Sequence, residues 1–199
     1  LLSVNNNDEE EEVNVSSIKC TEGEALVANC MLDLPHMPRK TSRMVSAFVR
    51  GMRRLNPLVF TLVEEELGSG GMTMAAASFF FEALRHYSAV CDSLESCLER
   101  EIVSRTLVER VFVVPRINST VAMWSVSCGS EAGTKSSSHN WCSLVHSLGF
   151  TPCPLSFHNV SQALLLLGLY KDGFKLDEIS NRLLLGWRGK PLFAASVWK

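Results

Sequence analysis

No run of apolar residues in this 199-residue chain approaches the roughly 18 to 20 needed to cross a bilayer, so no membrane anchor is expected. Positive charge is not in excess either: 19 Lys and Arg stand against 21 Asp and Glu, for a net charge of −2. A free-standing DNA-binding domain is usually basic, so any contact with DNA would have to rest on a local patch or on a partner. The seven cysteines (Cys20, Cys30, Cys91, Cys97, Cys128, Cys142 and Cys153) are odd in number and form no CxxC pair. Several lie inside apolar runs, where cysteine behaves as a small hydrophobe. That usage argues against a disulfide framework and for a reducing compartment, cytosol or nucleus. Also missing are a G-x-G-x-x-G fingerprint, a G-x-S-x-G nucleophile elbow, an HExxH pair and any internal repeat. No signal peptide is visible, and because the chain opens on Leu1 its own amino terminus is expected to lie upstream.

What is present is an ordinary globular composition, 46% hydrophobic and 20% charged, on a chain long enough for one domain with a full core. Residues 5–12, NNNDEEEE, read as an acidic low-complexity loop. Residues 23–30, GEALVANC, suit a buried strand. From Ser42 to Leu55 the residues Met44, Val45, Phe48, Val49, Met52 and Leu55 share one helical face. Asn56-Pro57 ends that helix, and LVFTLVE at 58–64 follows as a second buried strand. Strand, helix, strand over 15–66 is the pattern of a parallel sheet covered by helices.

After a glycine-rich loop at 67–71, a long helix is expected with Phe80, Leu84, Tyr87, Cys91, Leu94 and Leu98 as its inward stripe. A further helix carrying Leu107, Val108, Val111 and Phe112 is expected to break or kink at Pro115. Residues 128–140 read as a loop. Trp141, Leu144, Val145 and Leu148 predict a short helix stopped by Gly149. FTPCPLS reads as an edge strand or extended segment, and Asn159 as the cap of a helix reaching Leu169. Segments 174–179, 182–187 and 192–198 predict an antiparallel meander.

Three clusters invite a chemical reading. Glu64 to Glu66 beside a glycine loop could hold a ribose hydroxyl, yet the glycines stand on the wrong side for the phosphate fingerprint; a solvated turn or a structural ion pair is the simpler reading. Cys128, His139, Cys142, His146 and Cys153 offer mixed zinc ligands, but no tight knuckle joins them and Cys142 and His146 share a helix with core residues. Arg50, Arg53 and Arg54 could touch phosphate or acids, and are more simply an exposed helix end. Glu109-Arg110 suits a salt bridge or a solvated face. No catalytic or metal-binding residue and no cofactor are expected.

Taken in order, the motifs resemble the second half of a plant GRAS domain. GEALVANC is similar to that family's G-E-A-L-x-V-N-C, LNPLVFTLVEEE to its L-N-P-x-V-V-T-L-V-E-Q-E, and residues 78–96 to its PFYRE region. Glu109 and Arg110 fall in its V-E-R. Trp141, Gly149-Phe150 and Pro154-Leu155-Ser156 match its W, G-F and P-L-S; Trp187, Pro191, Ser196 and Trp198 match the L-x-W, P-L and closing S-A-W. The match covers about Val15 to Lys199, with Asn118 in place of the R-E-I acid and Val197 within the closing motif. The family's leucine-rich segments and VHIID motif are absent, so a partial domain is expected, with a PFYRE-like region at 72–125 and a SAW-like region at 141–199.

The resemblance implies an α/β fold: a Rossmann-like, methyltransferase-like, mainly parallel sheet with flanking helices and an antiparallel carboxyl-terminal hairpin. Phe80, Tyr87, Glu109, Arg110, Trp141, Gly149, Phe150, Pro154, Trp187, Pro191, Ser196 and Trp198 are its motif residues, expected to be structural. It also implies a non-enzymatic nuclear regulator of transcription. The expected partners are other transcription factors, GRAS and zinc-finger proteins among them, and DNA is reached indirectly. The face around Phe80, Leu84 and Tyr87 is expected in the core, with Arg85, Glu109, Arg110 and Arg188 towards partners. Two other readings stay open: a Rossmann-type small-molecule binder or methyltransferase-like enzyme, and an inactive fragment.

Overall fold

A computed structural model describes residue 18 and residues 21–32, 42–67, 76–129 and 141–199. The expected acidic run at 5–12 lies outside the described residues, as do 68–71 of the glycine loop and 130–140 of the serine-rich loop. In chain order the elements are β1 (Val27–Leu32), α1 (Ser42–Leu55), β2 (Val59–Glu65), α2 (Ala76–Cys97), α3 (Ile102–Val108), a π-helical turn (Glu109–Val113) and α4 (Val114–Gly129). Then come α5 (Trp141–Ser147), α6 (Phe157–Leu167), β3 (Phe174–Ile179), β4 (Arg182–Trp187) and β5 (Lys190–Trp198).

The strands form a five-stranded sheet in the order β1-β2-β5-β4-β3. Only β1 and β2 run parallel, joined by the predicted helix α1; the other three pairings are antiparallel. The expected mainly parallel sheet is therefore corrected to a mixed, mostly antiparallel one. The cause is connection length. β3 and β4 are joined through Ser180 and Asn181, at φ 53 and 61, and β4 and β5 through Arg188 and Gly189, at φ 46 and 84. Two-residue turns with both centres at positive φ can link only antiparallel neighbours.

The sheet is covered on both sides. On one face α1 and α5 press Val45, Val49, Met52, Trp141 and Val145 onto Ala28, Cys30, Phe60, Leu62 and Trp198, with Phe150 sealing the end. On the other, Ala83, Tyr87 and Val90 of α2 and Val113 of the π turn meet Trp187 and Leu192. β1 is less enclosed than its sequence suggested: Ala28 and Cys30 are buried while Val27 and Met31 are exposed. The Pro-rich segment is extended as expected. Where β5 ends, Cys153 N–H donates to Val197 O at 2.7 Å and Thr151 N–H to Lys199 O at 2.8 Å.

The helix termini follow their chemistry. Asn56, at φ 48, closes α1 just before Pro57. Gly149, at φ 93, closes α5, with Phe150 N–H reaching back to Val145 O and Gly149 N–H to His146 O. The cap of α6 is Ser156, not Asn159; the Ser156 hydroxyl accepts from Asn159 N–H at 3.2 Å, and the helix ends at Leu167. Pro115 does not break the rod. It is the second residue of α4, directly after the π turn, whose wider winding takes up the register change that proline imposes. Cys128, expected in a loop, belongs to the end of α4.

The inward stripe of α2 is displaced by one residue from the predicted one. Phe79, Ala83, His86, Tyr87, Val90 and Ser93 are buried, whereas Phe80 is 39% and Leu84 53% exposed. This helix is apolar on two adjacent stripes, so spacing alone could not say which one meets the sheet.

Gly173, at φ +118, lies directly beneath Trp187, and a Cβ there would stand 2.8 Å from two ring carbons. Gly173→Ala is expected to destabilise the protein by about 2 to 4 kcal/mol, combining backbone strain with overpacking. Urea unfolding of the intact protein measures it, and a loss below half a unit would show that the ring can move aside.

Candidate interaction site

β2 runs Val59-Phe-Thr-Leu-Val-Glu-Glu65, with Glu66 directly after it, and the two-residue period of a strand sends Glu64 to the side of Phe60 and Leu62 and Glu65 to the other. All three carboxylates are consumed internally. Arg182, opposite Ser196 on β4, donates from Nη2 to Glu64 Oε1 at 2.9 Å and to Glu66 Oε2 at 2.6 Å. Cys142 of α5 adds its thiol to Glu64 Oε1 at 3.1 Å. Burial pushes the Cys142 thiol up to about 12, aided by the Glu64 charge, so it is a proton donor and not a thiolate. Burial likewise raises Glu64, only partly offset by Cys142 and Arg182.

Glu65 meets a second set on the opposite face. Its Oε1 lies 3.0 Å from Nε2 of His86, which is 0% exposed, and its Oε2 accepts from Arg116 Nε at 3.0 Å. One carboxylate thus ties β2 to α2 and α4. Burial alone would raise Glu65, but the His86 hydrogen bond and the charges of His86 and Arg116 outweigh it and hold the group lowered. A carboxylate lowered in the folded state contributes stability that is present above its unfolded value, about 4.3, and lost as pH falls through the folded value. Wild type is therefore expected to exceed Glu65→Gln in stability at pH 7, with the gap closing below about pH 4. Urea titrations across that range measure it, and a gap independent of pH would contradict the pairing.

Of the two simpler readings of Glu64 to Glu66, a solvated turn or a structural ion pair, the structure shows the ion pair, and buried. His86, Arg116 and Arg182 were not singled out as their partners; the usable signal was the strand alternation, which forces consecutive glutamates to opposite buried faces. The described members of the zinc set do not meet. Cys142 is bonded to Glu64, His146 is exposed, and His139 lies outside the described residues. Among the described residues no group of three His, Cys, Asp or Glu could hold a metal ion. Arg50, Arg53 and Arg54 are exposed at the end of α1, Arg53 lying 5.4 Å over the Phe150 ring.

The motif residues divide by environment. Tyr87, Trp141, Phe150, Trp187, Ser196 and Trp198 are buried, and Ser196 Oγ accepts from Trp198 Nε1 at 2.8 Å. Pro191 is half-buried in β5, Pro154 is exposed, and Gly149 is the α5 cap. Glu109, at the start of the π turn, pairs with Arg105 of α3 at 3.7 Å, and Arg110 is exposed. Of the residues expected towards partners, Arg85 and Arg188 are exposed, and Arg188 is held by Asp92 at 3.0 Å.

Phe80 and Leu84 are not core residues but form one wall of an open groove of about 260 Å³ between α2 and α4. Phe79, Ala83, Tyr87, Ser88 and Cys91 continue that wall, with Ile117, Thr120 and Val121 facing them. Thr120 Oγ1 donates to Arg116 O, and Tyr87 Oη lies 3.0 Å from Thr120 Oγ1. No charged side chain lines it.

An α/β sheet whose carboxylates are spent on its own arginines, beside an open apolar groove, has the build of a scaffold that binds through its surface. The chain matches the GRAS domain family over residues 3–199 and belongs to it. It is 42% identical over 196 residues to Protein NODULATION SIGNALING PATHWAY 2 of Medicago truncatula, covering 96% of this chain and 37% of that protein. With Scarecrow-like protein 26 of Arabidopsis thaliana it shares 39% over 184 residues, covering 92% and 37%. The crystal structure of SCL7 from Oryza sativa superposes with a TM-score of 0.66 at 29% identity, over 90% of this chain and 49% of that one. The chain thus spans well under half the length of the curated relatives it matches. No described helix is long and apolar enough to cross a membrane.

Proposed function

We propose that this chain is part of a plant nuclear regulator of transcription that works by contact with other transcription factors, GRAS and zinc-finger proteins among them. In this reading promoter DNA is reached through those partners. The observation that carries it is the fate of Glu64 to Glu66. In a nucleotide or methyl-donor site a strand-end carboxylate faces the ligand, whereas here all three are buried against Arg182, His86 and Arg116. Family membership and a near-neutral charge point the same way, since recruitment by proteins needs no basic surface. The β1-α1-β2 unit supports a Rossmann-like core within a single domain, its PFYRE-like part at 72–125 and its SAW-like part at 141–199.

Tethering the intact protein to a reporter promoter through a foreign DNA-binding domain tests this reading. Reporter output is expected to change, and the purified protein is expected to give no saturable heat with S-adenosylmethionine. An unchanged reporter together with saturable S-adenosylmethionine binding would favour the enzyme.

A further inference from the structure

We infer that Lys175 is a conjugation site for a small ubiquitin-like modifier, read by the conjugating enzyme as the extended segment Phe174-Lys175-Leu176-Asp177 on the outermost strand of the sheet. The inference goes beyond the regulator reading and takes from it only the nuclear setting, in which such enzymes act.

The sequence supplies the pattern. Enzymes that transfer this modifier select a lysine with a large apolar residue before it and a carboxylate two residues after it. Of the seven lysines in the chain, Lys175 alone has a carboxylate at that position, Asp177, and Phe174 stands directly before it.

The strand supplies the shape. The motif is read extended, with the amine and the carboxylate on one side, and the two-residue period of a strand provides that arrangement. β3 holds the segment extended, and Lys175 Nζ lies 2.7 Å from Asp177 Oδ1, so the two groups share a face. Phe174 is half-buried on the other face, where its ring meets Trp187 edge-on and fixes the strand in place. β3 is the last strand of the sheet and pairs with β4 alone. Opposite Lys175 on β4 stands Gly186, so no side chain rises beside the amine from that strand. α6 packs against β3, yet the Lys175 side chain remains 65% exposed and that of Asp177 47%. An ion pair this exposed opens at little cost, which releases the carboxylate to basic groups of the enzyme.

The reaction is an acyl transfer. The Lys175 ammonium gives one proton to solvent, and Nζ attacks the thioester that joins the modifier's terminal glycine to a cysteine of the conjugating enzyme. The C–N bond forms as the C–S bond breaks, and a second proton from the nitrogen leaves with the sulfur as a thiol. The product is an isopeptide that replaces the charge of Lys175 with a folded domain at the edge of the sheet.

The test incubates the intact protein with the purified modifier, its activating and conjugating enzymes and ATP, and maps the branched peptides by mass spectrometry. Lys175 is expected to be modified, and Lys175→Arg to abolish that product. Lys171, at 53% side-chain exposure but with Gly173 two residues on, is the internal comparison and is expected to stay unmodified. Asp177→Asn should slow modification about tenfold, and Asp177→Glu, which keeps the charge, should preserve it. Both variants change a half-exposed side chain and leave the fold intact, so the difference between them reads recognition of the carboxylate.

An unmodified Lys175, or equal modification of Lys171, overturns the proposal. So does an Asp177→Asn protein modified at the wild-type rate, because exposure alone would then select the lysine. The regulator reading fails separately, by the tethered reporter, which does not depend on the conjugation assay.

Discussion

Arg182→Met is expected to destabilise the intact protein by about 3 to 5 kcal/mol, the loss that follows when one partner of a buried ion cluster is removed. Arg182 is 23% exposed at its side chain, but its acceptors Glu64 and Glu66 are 7% and 5% exposed, so the carboxylates cannot turn to water once the guanidinium is gone. Each would be left with a charge in a site built for a pair. Replacing all three by apolar residues of similar volume should restore most of the stability, because buried ion clusters are costly to break but of small net benefit over hydrophobic packing. Guanidinium unfolding of the single and triple variants measures both statements. A single variant within about 1 kcal/mol of wild type would mean that the carboxylates take up protons without consequence.

Trp187→Ala is expected to cost a comparable amount, about 3 to 5 kcal/mol. Trp187 is fully buried, meets Phe174 edge-on with ring centroids 4.7 Å apart and covers Gly173. Its Nε1 donates to Asp92 Oδ2 at 2.6 Å, tying β4 to α2. Deleting the ring opens a cavity and strips Asp92 of a donor, although Arg188 still reaches that carboxylate at 3.0 Å. Trp187→Phe keeps most of the apolar volume and should lose only about 1 to 2 kcal/mol. Thermal unfolding separates the two, and equal losses for both would place the stabilisation in the indole hydrogen bond alone.

Much of the architecture was legible because a single physical signal settled each element. The spacing of Val45, Val49 and Met52 predicted α1, Asn56-Pro57 its end and Gly149 the end of α5. The three carboxyl-terminal strands followed from short apolar runs punctuated by turn residues. Sheet direction was less legible. The strand-helix-strand segment is parallel as read, but two-residue turns dictate antiparallel neighbours for the strands after it. On α2 two apolar stripes lie side by side, and only the sheet decides that Phe79 and Ala83 go inward while Phe80 and Leu84 line a groove. Similarly, Glu64 to Glu66 could be read as a solvated turn or as an ion pair, but the partners could not be named because Arg182 and Arg116 lie 118 and 51 residues away in sequence. Long-range pairing of charges leaves no local trace. The strand period alone hinted at it, by sending adjacent glutamates to faces already known to be buried.

The most direct test of the account is transcriptional output from the tethered intact protein in which Glu64, Glu66 and Arg182 have all been replaced by apolar residues. The account predicts a protein with near-native stability and undiminished regulation, because these groups hold the sheet together and touch no ligand. Loss of regulation with stability intact would contradict it, and would return the buried carboxylates to the role of a binding site.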